Sequence, residues 1–346
     1  MKKIAILVFF TVGFFVHVWA CTGLIAGKQA TVDGSVLVTY SADSHTLYGA
    51  LTSSPAADWP KGSMRSIVEW DTNKPLGEIE QVEHTYAVIG NMNEHQLTVV
   101  ESTWGGRPEL VDTTGIIDYG SLMQLALERA KTAREAIKVM TGLVKKYGYY
   151  SSGESFTIAD PNEAWILDLI GKGPGRRGAV WVAVRIPDDC IAGHANYPRI
   201  HKIPMDDKEN CLYSPDVISF AREMGYFDGL NKDFSFARAY SPADFGALRA
   251  CDARVWSFFR KYDSTMDNYL PYVNGESAEP FPLYVKPSRK LSVQDMKEAM
   301  RDHFEDTPFD MTQDVGAGPF KVPYRFRPMS FEVDGKSYCM ERAIAT

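Results

Sequence analysis

The chain has 346 residues, of which 45% are hydrophobic and 23% charged, and its formal net charge is −7. These proportions are typical of a globular protein that can bury a large core. The acidic balance and the absence of runs of Lys and Arg argue against a nucleic-acid partner. Beyond the first segment no apolar run approaches the roughly 20 residues that span a bilayer, so no membrane span is predicted.

The first segment has the pattern of a secretory leader. Lys2 and Lys3 precede an apolar stretch, Ile4–Val16, and a small residue, Ala20, stands before Cys21. A charged start, a short apolar centre and a small residue at the cut predict a signal peptide over residues 1–20 and an exported protein. Cleavage after Ala20 makes Cys21 the first residue of the mature chain, residues 21–346.

Three interpretations of Cys21 compete at this stage. A first-residue cysteine carries both a thiol and a free α-amine, and the amine can act as general base for the thiol. Alternatively, Cys21 is a lipidation site that anchors an exported protein, although bulky Trp19 fits that signal poorly. The third interpretation is a structural cysteine that merely follows the leader.

The remaining cysteines leave the redox state open. Cys190, Cys211, Cys251 and Cys339 are even in number and could form two disulfides, with Cys21 as the odd thiol. They are equally compatible with buried, reduced thiols, because a domain of this size needs no covalent cross-links.

Strand patterns dominate the first half of the mature chain. Asp33-Gly34 between two β-rich runs predicts a hairpin of Gly23–Lys28 with Ser35–Tyr40, which mounts Cys21 on a sheet. A short strand is predicted at Ser66–Trp70, and a second hairpin at His84–Gly90 and Gln96–Thr103. Two helices follow at Tyr119–Ala130 and from Thr132 to about Tyr147, the second with the capping box Thr132-x-x-Glu135.

The second half begins with a meander and then becomes more helical. Antiparallel strands are predicted at Ser155–Ala159, Ala164–Ile170, Ala179–Ile186 and Cys190–His194. Ser-Pro pairs and Ser292 predict helices at Asp216–Met224, Ala243–Tyr262 and Ser292 to about Phe304. A last hairpin is predicted within Tyr324–Cys339.

Several common kinds of site are disfavoured by spacing. The Gly171–Gly178 loop lacks a Walker ending and precedes a strand, so it does not predict phosphate binding. The histidines form no metal-binding pair, so no metal or other cofactor is predicted. No Gly-x-Ser-x-Gly elbow or papain-type cysteine surround is present. His194 and His95 are expected to be sheet or turn residues.

What remains is Cys21 with polar residues at nearby strand ends. Asp43 follows the strand that pairs with the Cys21 strand and could orient the amine or thiol, or be an exposed loop residue. Asn93 and Asn196 could each donate a hydrogen bond to an oxyanion, although both positions also suit turns.

The order of several short motifs resembles one family, the dipeptidase A family of N-terminal nucleophile hydrolases, relatives of secernins and, more distantly, of penicillin V and bile-salt acylases. The resemblance covers Cys21 to about Ile200 and, more loosely, Phe234–Arg260. The motifs are Cys21-Thr22, Gly27-Lys28, Asp33-Gly34-Ser35, Asp43-Ser44, Asn93-Glu94, Glu101-Ser102-Thr103, Gly153-Glu154-Ser155, Asp160, Glu163-Ala164-Trp165, Trp181-Val182-Ala183, Arg185-Ile186-Pro187-Asp188, Ala195-Asn196 and Arg199-Ile200.

This resemblance implies an α+β fold, an αββα sandwich of two mainly antiparallel sheets flanked by helices. It implies cofactor-free hydrolysis of small amides, chiefly dipeptides, through a thioester on Cys21. Asp43 would orient the nucleophile, Asn196 and Asn93 would stabilise the oxyanion, and Arg254 would bind substrate or belong to the supporting network. An acylase of non-peptide amides, or a non-catalytic protein on the same fold, remains as an alternative.

The sequence departs from the family in two respects. Family members commonly carry an arginine a few residues before the Asp43 position, where this chain has Tyr40. They also commonly extend well beyond 346 residues, so a chain ending at Thr346 is expected to lack part of the family's fold.

Overall fold

The computed structural model describes residues 21–43, 49–324 and 329–340. The leader predicted over residues 1–20 and Ser44 of the Asp43-Ser44 motif lie outside the described residues. The strands are β1 Thr22–Ala26, β2 Leu37–Ser41, β3 Ser53–Ser54, β4 Ala57–Asp58, β5 Met64–Val68, β6 Pro75–Glu80, β7 His84–Thr85, β8 Val88–Ile89, β9 Met92–Asn93, β10 Thr98–Gly105, β11 Gly153–Ala159, β12 Ala164–Gly171, β13 Ala179–Ile186, β14 Ile191–His194, β15 Cys211–Tyr213, β16 Tyr284–Val285, β17 Met329–Val333 and β18 Lys336–Met340. The α-helices are α1 Tyr119–Arg129, α2 Ala133–Tyr147, α3 Ser219–Glu223, α4 Phe236–Tyr240, α5 Ala253–Arg260, α6 Leu270–Val273 and α7 Val293–Ala299, and a π-helical segment, Ala247–Asp252, leads into α5.

Two antiparallel sheets form the centre of the molecule. One has four strands in the order β16-β14-β1-β2, and the other has eight in the order β15-β13-β12-β11-β10-β9-β8-β3. In the smaller sheet β1 is an interior strand, with Gly23 opposite His194 of β14 and opposite Tyr40 of β2. A Cβ on Gly23 would lie 2.9 Å from the His194 ring, so the close approach of β1 and β14 requires glycine there.

Alternate side chains along the strands face different cores, and this shows how the sheets and helices are layered. On β1, Leu24 and Ala26 pack into a core with α5 and α7, whereas Ile25 faces a core shared with the larger sheet. The outer face of the larger sheet packs against α1 and α2. Because successive side chains of a strand point to opposite faces of its sheet, each sheet packs against the other sheet on one face and against helices on the other. The layers therefore have the order helix, sheet, sheet, helix. The predicted α+β sandwich is confirmed.

Local sequence signals are confirmed for several elements. The hairpin of β1 and β2, the strands β11 to β13 and the helices α1 and α2 form where the sequence predicts them. The Thr132 side chain accepts a hydrogen bond from the Glu135 amide and caps α2. Ser292 and Asp295 form a reciprocal capping box at the start of α7.

Other expectations are corrected. The segment from His84 to Thr103 is not one hairpin, because β7 pairs with β4 while β8, β9 and β10 join the larger sheet. The helix predicted over Ala243–Tyr262 begins as the π-helical segment and ends at Arg260. β14 leaves the meander and joins the smaller sheet beside β1. Strand order across two sheets depends on distant packing, so the local pattern did not reveal it.

The structure favours reduced thiols over two disulfides. Cys190 and Cys211 are free and buried, so neither forms the cross-link that an even cysteine count allowed. Burial raises the pKa of each thiol to about 12, which keeps both protonated and unreactive. The side chain of Cys339 lies outside the described residues.

Within the described residues, every helix is too short or too polar to cross a bilayer.

Candidate active site

Cys21 lies directly before the central strand β1. Its side chain is only 3% exposed, and β1 is hydrogen-bonded on both edges by β14 and β2. A residue mounted on an interior strand has a fixed backbone, which is what a nucleophile requires for reproducible geometry.

Arg254, on α5, fixes the main chain around Cys21. Its Nη1 donates to the Cys21 carbonyl at 3.0 Å and to Thr22 Oγ1 at 2.8 Å. Its Nη2 donates to the Ala195 carbonyl at 3.2 Å and to Asn196 Oδ1 at 2.7 Å. The side chain is 1% exposed, so the guanidinium ties the start of β1 to the end of β14 inside the protein.

Asn196 follows β14 and lies in this network. Its backbone is left-handed, with a φ of 54°, a conformation that asparagine tolerates better than most residues. Its Nδ2 donates to the Thr103 carbonyl at 2.5 Å, and its Oδ1 accepts from Arg254. These two contacts fix the amide plane, and among the described residues Thr103 accepts one of the two Nδ2 hydrogens.

Asp43 reaches Cys21 through its main chain. A hydrogen bond from the Asp43 backbone to the thiol lowers the pKa of Cys21, while the Asp43 carboxylate has the weaker, opposite effect. The sequence predicts that the Asp43 carboxylate orients the nucleophile. The contact that the structure describes is the hydrogen bond from the Asp43 backbone to the thiol.

Two buried glutamates on neighbouring strands lie beside the thiol. Glu101 of β10 is 2% exposed and Glu154 of β11 is fully buried. The Glu101 side chain is close enough to interact with both Cys21 and Glu154. Tyr40 donates its hydroxyl to Glu101 Oε1 at 2.5 Å, and Thr103 donates to Glu154 Oε1 at 2.7 Å. Tyr40, where the family commonly has arginine, therefore contacts this acidic pair.

This environment disfavours a free thiolate. Burial, and secondarily the charge of Glu101, raise the pKa of Cys21 well above its ordinary value. Burial also raises the pKa of both Glu101 and Glu154, and for Glu154 the charge of Glu101 adds to the effect. Two like carboxyl groups in one dry site cannot both ionise, so the pair keeps a proton.

Asn93 has a structural task elsewhere. Both hydrogens of its Nδ2 go to the Leu127 and Ala130 carbonyls at the end of α1, at 2.8 and 2.7 Å. Its Oδ1 accepts from the amides of His95 and Leu97. The amide has no hydrogen left for an oxyanion, so Asn93 does not join the candidate site.

His194 lies between the two sheets and is not available as a base. Its ring nitrogens are 2.6 Å from Ser102 Oγ and 2.9 Å from Thr157 Oγ1, and the residue is completely buried. Burial, aided by the charges of Arg199 and Arg254, lowers the pKa of His194 to about 3. The imidazole is therefore neutral at physiological pH.

Sequence reasoning about single residues missed Tyr40, Glu101 and Glu154. A signal was present, because Glu101 interrupts the apolar run that begins with Val99 and Val100. A carboxyl group in a strand buried on both faces is expensive and often functional. Within residues 21–43 and 49–324, no three His, Cys, Asp or Glu side chains are arranged to hold a metal ion.

The αββα sandwich, with Cys21 directly before its central strand, is the fold that the resemblance to the dipeptidase A family implied. Residues 20–341 match the model of Peptidase family C69, and the chain belongs to that family.

The curated relatives that this chain matches have names that fit a peptidase family. A probable dipeptidase of Salmonella dublin is 28% identical over 318 residues, which cover 84% of this chain and 68% of the relative. A probable dipeptidase of Latilactobacillus sakei is 25% identical, covering 84% of this chain and 62% of the relative. Dipeptidase A of Lactobacillus helveticus is 25% identical, and the match covers 88% of this chain and 66% of the relative. The chain thus spans about two thirds of the length of these relatives.

Proposed function

We propose that this protein is an exported cysteine-type N-terminal nucleophile hydrolase that cleaves dipeptides through a thioester on Cys21. The observation that carries the proposal is the position of Cys21. Its thiol is buried beside the Asp43 backbone at the start of a central strand, and Arg254 holds its carbonyl. Membership of a peptidase family and relatives named dipeptidase support the substrate class.

The chemistry requires removal of residues 1–20. While Ala20 is attached, the nitrogen of Cys21 is an amide and cannot accept a proton. Cleavage converts it into an α-amine with an ordinary pKa of about 7.7–8.0, which is partly neutral at physiological pH. Processing by the export machinery would therefore create the general base and the nucleophile in one step.

The first half-reaction forms the acyl-enzyme. The α-amine takes the thiol proton as sulfur attacks the scissile carbonyl carbon, because a free thiolate is disfavoured in this buried site. The remaining N–H of Asn196 Nδ2 is proposed to donate to the oxyanion, a contribution worth about 10²–10³ in rate. The ammonium then gives its proton to the departing nitrogen of the second residue, and the C–N bond breaks to leave a thioester.

The second half-reaction regenerates the enzyme. The α-amine, now neutral, takes a proton from a water molecule that attacks the thioester carbonyl. The C–S bond breaks, the proton passes to sulfur, and the first residue leaves as a free amino acid. Asp43 and Arg254 position the reacting cysteine in this scheme, and the reaction needs no redox change.

The decisive variant is Cys21→Ala in a chain whose first residue is residue 21. We expect dipeptide hydrolysis to fall by roughly 10⁴-fold or more, because the nucleophile is lost, with an unchanged circular-dichroism spectrum. Cys190→Ala removes another buried thiol and is the matched control, with wild-type turnover expected. Turnover retained by Cys21→Ala would exclude the thioester mechanism.

One observation favours the non-catalytic alternative. Tyr40 and two carboxyl groups lie beside the thiol, in the region where the family's arginine would place a cation that stabilises a thiolate. Mass spectrometry of the exported protein separates the alternatives. An unmodified N-terminal Cys21 is expected, whereas a diacylglyceryl adduct would block the thiol and identify a lipid-anchored protein. A panel of dipeptides and acyl amides would separate a dipeptidase from an acylase.

A further inference from the structure

The buried pair of Glu101 and Glu154 carries a second inference, which rests on the proposed function. Each carboxyl group uses Oε1 to accept a hydroxyl hydrogen bond, and Oε2 of each is buried. Besides the Tyr40 hydroxyl, the Glu101 side chain interacts with Glu154 and with the Cys21 thiol. Among the ion pairs of the described residues, none includes either glutamate. When the carboxyl pair holds a single proton it carries one negative charge, and a buried charge is stabilised by a cation.

The α-amine of Cys21 is a poor choice for that cation. The proposed mechanism requires the amine to be neutral before it takes the thiol proton. A carboxylate in direct contact would stabilise the ammonium form and remove the base. The negative charge is therefore better matched to a group that arrives with the substrate.

The covalent geometry of a dipeptide brings its ammonium group to this place. In an amino acid, standard bond lengths and angles put the α-nitrogen about 2.5 Å from the carbonyl carbon. When sulfur attacks that carbon, the α-nitrogen of the same residue lies within a few ångströms of the thiol. Glu101 interacts with the Cys21 side chain, so its carboxyl group lies within reach of such a nitrogen.

We propose that Glu101 binds the free α-ammonium group of the substrate residue whose carbonyl Cys21 attacks. Tyr40 fixes the Glu101 carboxylate through Oε1, and Glu154, held by Thr103, keeps the proton of the pair. Glu101 is thereby a specificity-determining residue: it selects peptides with an unblocked N-terminus. Substrates whose α-amine is absent or acylated leave the carboxylate buried and unpaired.

The kinetic test compares alanyl-glycine with propionyl-glycine, which differs only by lacking the α-amine. Wild-type kcat/KM is expected to favour alanyl-glycine by about 100-fold, the size of a charge-assisted hydrogen bond in a dry site. Glu101→Gln keeps the shape and the acceptor for Tyr40. We expect it to reduce the preference for alanyl-glycine over propionyl-glycine from about 100-fold to less than about threefold, whatever it does to the rate common to both compounds.

The matched control is Glu128→Gln. Glu128 is a buried glutamate of α1, paired with Arg65 at 3.0 Å, in the helix layer outside the larger sheet. This variant should retain the wild-type preference for alanyl-glycine. If Glu101→Gln lowers kcat/KM for both compounds equally, the carboxylate serves Cys21 or the fold, and the proposal is overturned.

A binding measurement separates failure of this inference from failure of the proposed function. In Cys21→Ala, calorimetry should show alanyl-glycine bound at least tenfold more tightly than propionyl-glycine, with the difference lost on adding Glu101→Gln. Amine-dependent binding without wild-type turnover would support the ammonium site and reject the hydrolase. Turnover without any preference for the amine would support the hydrolase and reject the ammonium site. Neither binding nor turnover of either compound would reject both.

Discussion

At the scale of single residues, Arg254 organises the candidate site. It lies 233 positions after Cys21 in the sequence, yet its side chain contacts Cys21, Thr22, Ala195 and Asn196. A planar guanidinium offers several donors in fixed directions, so it can satisfy carbonyl and amide oxygens from two strands at once. The family resemblance placed Arg254 in the substrate or supporting network; the described contacts are with the network.

Replacement of Arg254 tests this organisation. We expect Arg254→Met to lower the free energy of unfolding by about 3–5 kcal/mol, because several buried acceptors lose their donor. Arg254→Lys should recover only part of the loss, since an ammonium cannot reach both strands in the same geometry. Urea denaturation measures both variants.

The control for the Arg254 variants is Arg222, an arginine that is exposed to solvent. Arg222→Met removes hydrogen bonds from Arg222 to the Gly229 carbonyl and to Asn231 at the surface and should cost less than about 1 kcal/mol. A lysine variant at position 254 as stable as wild type would show that the forked geometry is unimportant.

Residue-level predictability differs sharply within the site. Cys21 is singled out by the leader pattern predicted over residues 1–20, because a cleavage signal is local. Asn93 could not be excluded in the same way. Its partners, Leu127 and Ala130, lie 34 and 37 residues away at the end of α1, and no pattern around Asn93 points to them.

At the scale of elements, α2 shows how a local signal defines a helix. Thr132 caps its first turn, Glu135 lies in that turn, and Lys145 and Lys146 lie in the last. These charges complement the helix dipole, and the apolar face packs against the larger sheet. The helix ends at Tyr147, and its C-cap, Gly148, has a φ of 82° that suits glycine.

Thr132→Ala tests the cap. Loss of the hydrogen bond to the Glu135 amide should lower the free energy of unfolding by about 1 kcal/mol. Thr141→Ala is the matched control inside the same helix, where Thr141 bonds back to the Ile137 carbonyl and alanine has the better helix propensity. Thermal or urea unfolding should rank Thr132→Ala below both wild type and Thr141→Ala; equal stabilities would contradict the cap.

The π-helical segment Ala247–Asp252 had no comparable signal. A π turn holds one extra residue and shifts the face that the following helix presents. Here it precedes α5, where Arg254 reaches Cys21, and it contains Asp252, which is ion-paired with Arg199 at 2.9 Å in the interior. These partners belong to other elements, so helical periodicity along the chain alone predicts an ordinary α-helix.

At the scale of the whole molecule, the interface between the sheets includes buried polar groups. His194 from the smaller sheet contacts Ser102 and Thr157 from the larger one. Asp168 of the larger sheet accepts from Ser155 at 2.6 Å and from the Ile200 amide at 2.9 Å. The His194 contacts join the two sheets, and Asp168 joins the larger sheet to the segment that follows β14, so directional contacts add to apolar burial.

These groups predict how stability depends on pH. The pKa of His194 is about 3 in the folded protein, and the unfolded side chain has its ordinary value near 6.5. Between these values only the unfolded state binds the proton, so stability is lost as the pH falls below about 6.5. Burial raises the pKa of Asp168 to about 6, which acts in the opposite direction between about pH 6 and 4.

His194→Gln isolates the histidine contribution. The free energy of unfolding should fall between pH 6.5 and pH 4.5 by about 2 kcal/mol less in the variant than in wild type. The reason is that the unfolded variant has no histidine at position 194 to bind a proton. His201→Gln should act in the same sense, since burial lowers the pKa of His201 to about 3 as well. Urea unfolding across this pH range measures the slopes, and parallel curves for wild type and His194→Gln would contradict the prediction.

The sequence by itself determined the features that short-range physics controls: the leader pattern before Cys21, the β1–β2 hairpin, the caps of α2 and α7, and the alternation in β11 to β13. Each depends on hydrogen bonds or periodicity within a few residues. Only the tertiary structure decided that β14 lies beside β1, that Glu101 and Tyr40 lie beside the thiol, and that Arg254 fixes it. The contact of Tyr40 with Glu101 joins residues 61 positions apart, and that of Arg254 with Cys21 joins residues 233 positions apart. Two packed sheets determine which distant strands become neighbours, and no local window of sequence contains that information.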